Sequence, residues 1–419
     1  MAREHETSHP FITFALDLGA APYTVWLQLG EAASKSEHVS RSLLRPEVAA
    51  ELLQIFLIKG AVATTAIEGN TLTEAEARQV VEKQRELPPS KEYLGREVAN
   101  AVHACNVIHD EVLGVGSGDQ AQLSVETIAR YNAMVLDGLE LEPGVVAGSI
   151  RDYSVTVGGT YRGAPAADCE LLLARLCTWL NSSDFDAPED HPELAWPLAI
   201  VKAAVAHLYL AWIHPFGDGN GRTARLLEVQ ILLAEGFPQP TAQLLSNHYN
   251  ATRTDYYRRL AAASRENRPM GFVAYAVRGF VDELRAQLDR IWGMQYEDRW
   301  EQYVYQRFGP LSTETQRRRL RLVKDISRAS IVSIGGALPD LVPVPRGELR
   351  LLTPELASYY AAKTDKTLTR DVNAVLKMGL VERWPEGFVP ASDIVLGFAP
   401  RSRAGRGPKP PGSAESTVD

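Results

Sequence analysis

Three glycines in five residues, Gly217-Asp218-Gly219-Asn220-Gly221, separate two apolar stretches, and this junction constrains the fold more than any other feature of the chain. The stretch before it, Leu198 to Ile213, reads as a long apolar helix. It stops because Pro215 disfavours helical backbone at His214. A second helix is expected to begin near Arg222. A loop so rich in glycine can turn its N–H groups inward as an anion nest, and the helix N-terminus behind it adds partial positive charge and unpaired donors. Arg222 and Arg225 are three apart and share a helix face, where two guanidinium forks suit a di- or triphosphate. Asp218 offers a hard oxygen to a Mg2+ ion that bridges phosphates. His214 stands at the mouth as a group suited to proton removal near neutral pH. Singly, these residues describe a tight turn between helices with a capping histidine. Together within twelve residues, they describe a site for phosphate chemistry.

The surrounding text is helical. Leu52, Leu53, Phe56 and Leu57 recur on one face, predicting a helix from Pro46 to Glu68 that stops at Gly69-Asn70. Thr73 with Glu76 three residues later forms a capping box for the next helix. Further helices are expected at 91–113, 124–137, 168–181, 192–213, 222–235, 252–265 and 270–295, while residues 1–40 read as mixed and partly extended, with Pro10 and Pro22 as breaks. Ser154-Val155-Thr156-Val157 alternates polar and apolar before Gly158-Gly159, which predicts a small hairpin near 153–162. Beyond 296, a short helix at Leu352–Tyr360 is followed by another from Thr367 to Met378. Strands on either side of Pro385-Glu386-Gly387 then complete a winged-helix pattern. The tail from Arg401, rich in Gly, Pro, Ser and Arg, is expected to be disordered. The expected class is therefore mainly α, with an N-terminal helical region at 1–123, a catalytic domain at 124–295, a winged-helix-like domain at 296–400 and a tail at 401–419.

A net charge of −8 gives no global basic field to draw the chain onto nucleic acid. Cys105, Cys169 and Cys177 form neither a CxxC pair nor a disulfide framework, which fits a reducing cytosol. The N-terminus lacks the apolar core of a signal peptide, and Lys202, His207 or Glu228 interrupts the longest apolar stretches, so no membrane span is expected. The expectation is a soluble cytoplasmic protein.

The segment His214 to Arg225 matches the pattern H-x-F-x-[D/E]-G-N-G-R-x-x-R at every specified position and resembles the catalytic motif of the Fic (fido) family. The resemblance covers roughly residues 124–280, and similarity to longer Fic proteins extends across most of the chain. It implies a protein adenylyltransferase that moves AMP from ATP, with Mg2+, to a Ser, Thr or Tyr hydroxyl of a protein. His214 would deprotonate that hydroxyl, Phe216 would anchor the loop, and Asp218 would hold Mg2+. The stretch Phe216, Gly217, Gly219, Asn220, Gly221 and Arg222 would bind the nucleotide, and Arg225 its γ-phosphate. Gly148 to Gly158 looks like the Fic flap, which pairs with a target as an added strand. Tyr256 and Tyr257 lie in a stretch similar to the helix after the nucleotide pocket and are candidate adenine contacts, or core residues. Ser264 stands where some relatives carry an adenine-binding asparagine, which leaves base preference open. Finally, Thr64-x-x-x-Glu68-Gly69 resembles the family's inhibitory motif. Glu68 would pair with Arg225 and place negative charge where the γ-phosphate should go.

Lys363, Lys366, Arg370 and Lys377, with Arg401, Arg403, Arg406 and Lys409 beyond, could contact DNA phosphates, or could be solvated charges on a protein-interaction or dimerisation module. Three functions therefore compete: AMP transfer restrained by Glu68, AMP removal by the same site, and a DNA-binding regulator with a nucleotide-sensing domain. Self-modification is an expected readout of the first, and a homodimer is one option for assembly. Target identity is not written in the chain.

Overall fold

The computed structural model describes residues 3–114, 122–159, 161–333 and 340–396. Contacts divide the chain into two compact units, Met1–Arg285 and Ala286–Asp419. The break falls ten residues before the expected boundary, inside a long helix. The expected disordered tail lies outside the described residues.

In the first unit, α1 (Glu4–Ser8) and α2 (Tyr23–Ser40) precede α3 (Pro46–Ile67) and α4 (Glu74–Val81). The expectation of a mixed, partly extended N-terminus is corrected by α2. Pro22 is its N-cap and not a break, and Val25, Leu29, Ala32, Ser36 and Val39 form a buried stripe at helical spacing. The Thr73–Glu76 capping box is formed as expected. There follow α5 (Glu92–Gly114), α6 (Val125–Leu136), the hairpin of β1 (Thr156–Val157) and β2 (Tyr161–Arg162), and α7 (Ala166–Leu180). The motif lies between α8 (Ala195–Ile213) and α9 (Asn220–Ala234), so α9 begins two residues earlier than expected. α10 (Leu244–Ala251) and α11 (Arg253–Glu266) follow. Then α12 (Pro269–Phe308) runs thirteen residues past its expected end.

The core explains where the site sits. α9 packs against α8, α5, α6, α3 and α10, so nearly every side chain from Arg222 to Leu233 is buried. α3 and residues Pro192–Ile213 are long and apolar enough to cross a membrane by length and composition. In the fold, α8 instead buries Ile200, Ala203, Ala204, Leu208 and Ile213 within the unit. Its apolarity serves the core, because neighbouring helices cover it on several sides.

In the second unit, α13 (Glu314–Ser330) leads into β3 (Ile331–Ser333) and β4 (Asp340–Leu341), a hairpin not anticipated from sequence. α14 (Pro354–Tyr360) and α15 (Asp365–Lys377) follow, then β5 (Val381–Trp384) paired antiparallel with β6 (Gly387–Pro390). Val323, Ile326, Leu356, Val372, Val375 and Phe388 belong to one apolar core. Buried Asp371 accepts from Arg318 Nε and Arg319 Nε, both at 2.7 Å, and from the Tyr360 hydroxyl at 3.1 Å.

Candidate active site

The site is built on a kinked junction. α8 ends at His214, whose backbone is left-handed (φ 50°), so the chain leaves the helix sharply. Two devices hold this turn. The Ile150–Phe216 bridge and the Arg151 N–H to Pro215 carbonyl bond (3.0 Å) tie the flap to the loop. The buried Arg151 guanidinium then donates to four carbonyls: His214 (2.7 Å), Tyr153 (2.5 Å), Ala164 (2.6 Å) and Ile213 (3.5 Å). Burial draws the Arg151 pKa below its usual value, since its bonding partners are carbonyl dipoles.

Inside the loop, the Asn220 side chain closes a ring on Phe216, accepting from the Phe216 N–H and donating to the Phe216 carbonyl, both at 2.9 Å. Asn220 is buried and shapes the loop, with one amide N–H committed to Phe216. Phe216 is fully buried and anchors the loop as expected. Asn132, on α6, supports the loop from beneath. Its Nδ2 donates to the Asp218 carbonyl (2.8 Å) and Thr223 Oγ1 (3.2 Å), and its Oδ1 accepts from the Gly148 N–H (2.9 Å). Gly219 is the left-handed N-cap of α9 (φ 75°) and supplies no side-chain cap, which leaves the first-turn donors to another acceptor.

His214 is half-buried, with Nδ1 3.4 Å from the Ala211 carbonyl. Assigning the proton to Nδ1 from this contact leaves Nε2 as the acceptor. Burial pulls the imidazole pKa down to about 4, despite the opposing pull of the Ala211 carbonyl, so the ring is neutral and able to accept a proton at pH 7. Asp218 is 54% exposed at the mouth, and its Oδ1 accepts from the Gly219 N–H (2.5 Å). Among the described residues no cluster of three or more His, Cys, Asp or Glu forms a metal cage. One open carboxylate beside an anion nest suits Mg2+ that takes its remaining ligands from phosphates and water.

The arginines are both buried and both engaged. Arg222 Nη1 donates to Glu97 on α5 (3.3 Å), and its Nη2 lies 3.4 Å from Asp218. Arg225 Nε donates to Thr64 Oγ1 (2.6 Å), while its Nη2 donates to the Thr64 carbonyl (3.0 Å) and to Glu68 Oε1 (2.6 Å). The expected Thr64, Glu68 and Arg225 therefore come together at the end of α3. Gly69 (φ 109°) closes that end, a conformation that favours glycine. Burial pushes the Glu68 carboxyl up, but Arg225, Arg222 and His214 outweigh it and hold its pKa below the usual range. A Cβ at Gly221 would collide with Glu68 Oε1, so the carboxylate lies directly against the first turn of α9. Arg225 Nη1 has no partner among the described residues.

The tyrosine pair divides. Tyr256 is buried in the core, where it bonds His207 Nε2 (2.8 Å), and His207 in turn faces Glu228. The Tyr257 hydroxyl donates to the Ile67 carbonyl (3.4 Å), at the end of α3. Arg151, Asn132 and Glu97 were missed as site residues. Asn132 did carry a signal, a polar residue among the apolar Ile128, Tyr131 and Val135 of α6.

Fold and site together define a helical domain built round a glycine-rich turn at an uncapped helix N-terminus. A model of the Fic/DOC family matches residues 122–232. The chain carries a Fic/DOC family domain. It is 33% identical over 201 residues to protein adenylyltransferase fic-1 of Caenorhabditis briggsae, which covers 48% of this chain and 35% of that protein. It is 33% identical over 211 residues to protein adenylyltransferase Fic of Nematostella vectensis, covering 48% of this chain and 42% of that protein. The chain thus spans less than half the length of these relatives. A crystal structure of a Fic family protein from Desulfovibrio desulfuricans G20 covers 94% of this chain and 99% of its own, at a TM-score of 0.52 and 20% identity, a likeness of fold.

Proposed function

We propose that this protein is an adenylyltransferase that moves AMP from Mg-ATP to a protein hydroxyl and is restrained by Glu68. The observation that carries the reading is a neutral His214 imidazole beside an uncapped helix N-terminus that holds two buried arginines. The relatives named adenylyltransferases support it over their shared length. In the reaction, the target oxygen attacks the α-phosphorus, His214 Nε2 takes the hydroxyl proton, and pyrophosphate leaves. Arg222 and the loop N–H groups hold the phosphates, and Arg225 takes the γ-phosphate once Glu68 releases it. Mg2+, held by Asp218, would neutralise phosphate charge. A cytoplasmic location belongs to the same proposal, since the three thiols are free and buried.

The test is incubation of the Glu68→Gly protein with ATP labelled on the α-phosphate, alone and with cell lysate, followed by mass spectrometry. Labelled hydroxyl side chains are expected and should vanish with Glu68→Gly/His214→Ala. Absence of any AMP adduct from folded Glu68→Gly protein would overturn the reading. If Glu68→Gly instead abolishes release of AMP from a modified protein, the site runs in the reverse direction.

A further inference from the structure

The C-terminal unit carries a charged surface that AMP transfer does not use. α15 buries Leu368, Asp371, Val372 and Val375. Its opposite face exposes Lys366, Arg370, Asn373 and Lys377. Their spacing of four, three and four residues makes a straight stripe along the helix. From Lys366 to Lys377 the stripe is about 16 Å long at the helical rise, close to five base-pair steps of a duplex. The acidic groups of the same helix do not neutralise it. Asp365 is paired with Arg350 (2.8 Å), and Asp371 is buried against Arg318 and Arg319.

Charge is also divided unevenly along the chain. Residues 286–419 hold 20 Lys and Arg against 16 Asp and Glu, a net +4, which leaves −12 on residues 1–285 out of the total of −8. Such asymmetry marks the second unit as the one suited to a polyanion. The element order adds specificity. α14 and α15 form a helix–turn–helix, and β5–β6 follow with a two-residue turn at Pro385-Glu386. That hairpin is short and exposes Glu382 and Glu386 against one arginine, Arg383, whereas the α15 stripe is free of carboxylates, so contact falls to the helix.

We propose that the C-terminal unit binds duplex DNA through the α15 stripe, in a winged-helix arrangement. Lys366, Arg370 and Lys377 neutralise phosphates, and Asn373 in the middle of the stripe is placed to read a base edge. This does not depend on the AMP-transfer reading.

The experiment is fluorescence anisotropy of a labelled mixed-sequence duplex with the full chain, titrated at several salt concentrations. Three phosphate contacts imply a slope of about −2.7 in log–log form, so affinity should fall about 40-fold between roughly 50 and 200 mM salt. Lys366→Glu/Arg370→Glu should weaken binding at least about tenfold at low salt and flatten the slope by about two. Arg328→Glu, an equal change of sign per site elsewhere on α13, should leave the slope close to that of the parent. Circular dichroism confirms that the variants are folded. No duplex binding by the folded parent at low salt, equal loss in Arg328→Glu and the stripe variant, or tighter binding of single-stranded RNA than of duplex would each overturn the proposal.

Discussion

Replacing Glu68 by glycine tests the proposed restraint on the site. Glu68 Oε1 receives one bond from Arg225 Nη2 at 2.6 Å and lies against Gly221, where the first turn of α9 would meet phosphate. A charge-assisted bond of this kind contributes about 1.5–3 kcal/mol. Because the Glu68 side chain is 34% exposed, solvent screening favours the lower end. At about 1.4 kcal/mol per tenfold, releasing Arg225 should raise transfer by roughly tenfold or more. Thr64 still holds Arg225 Nε and Nη2, so the guanidinium keeps its place when the carboxylate goes. Glu68→Gln keeps the shape and removes the charge, so it should fall between parent and glycine. Arg225→Ala should not mimic the gain, since it removes the phosphate ligand with the inhibitory partner, and the double change should be as inactive as Arg225→Ala alone. The assay is self-modification with α-labelled ATP, read as initial rate against ATP concentration. If folded Glu68→Gly transfers no faster than the parent, inhibition by the end of α3 is wrong. If Arg225→Ala is activated, Arg225 is not a phosphate ligand.

His214→Ala should lower transfer about a hundredfold to ten-thousandfold while calorimetry shows ATP binding largely intact. The pH profile of Glu68→Gly should stay flat from neutral pH down to about 5 and fall only below about 4, because protonation removes the acceptor that burial keeps neutral. Glu68 pulls that pKa upward, so its removal should move the acid limb lower, and a limb near 6.5 would refute the burial argument. Arg222→Ala should weaken Mg-ATP binding by about tenfold or more, as expected from losing a charged bond of at least about 1.5 kcal/mol; unchanged affinity would make Arg222 a structural partner of Glu97 and Asp218. Asn132→Ala leaves the Gly148 N–H and Asp218 carbonyl without their side-chain partner and should lower stability by about 1–3 kcal/mol in denaturant titrations.

What could be read in the chain, and what could not, divides by sequence distance. The turn at His214 and the paired arginines are local, because Pro215 and helical spacing act over a few residues. The Thr64–Glu68 to Arg225 contact spans 161 residues and was reached through resemblance to the inhibitory motif. Bonds of the same length scale without a motif stayed hidden: Asn132 to Asp218 across 86 residues, and Arg222 to Glu97 across 125. α2 differs from expectation because Pro22 reads as a break, yet proline is tolerated at a helix start and the buried stripe beginning at Val25 follows it. Asn220 shows what a motif alone does not specify: both of its amide atoms bond Phe216. A motif specifies which residues a loop needs, and the fold decides which atoms face the ligand. Here the side chains of Phe216, Asn220 and Asn132 build the loop, and in the proposed reaction backbone N–H groups, Arg222 and Arg225 would meet the phosphates. On this account, side-chain changes at Asn220 should act through loop geometry, disturbing His214 and the nest together.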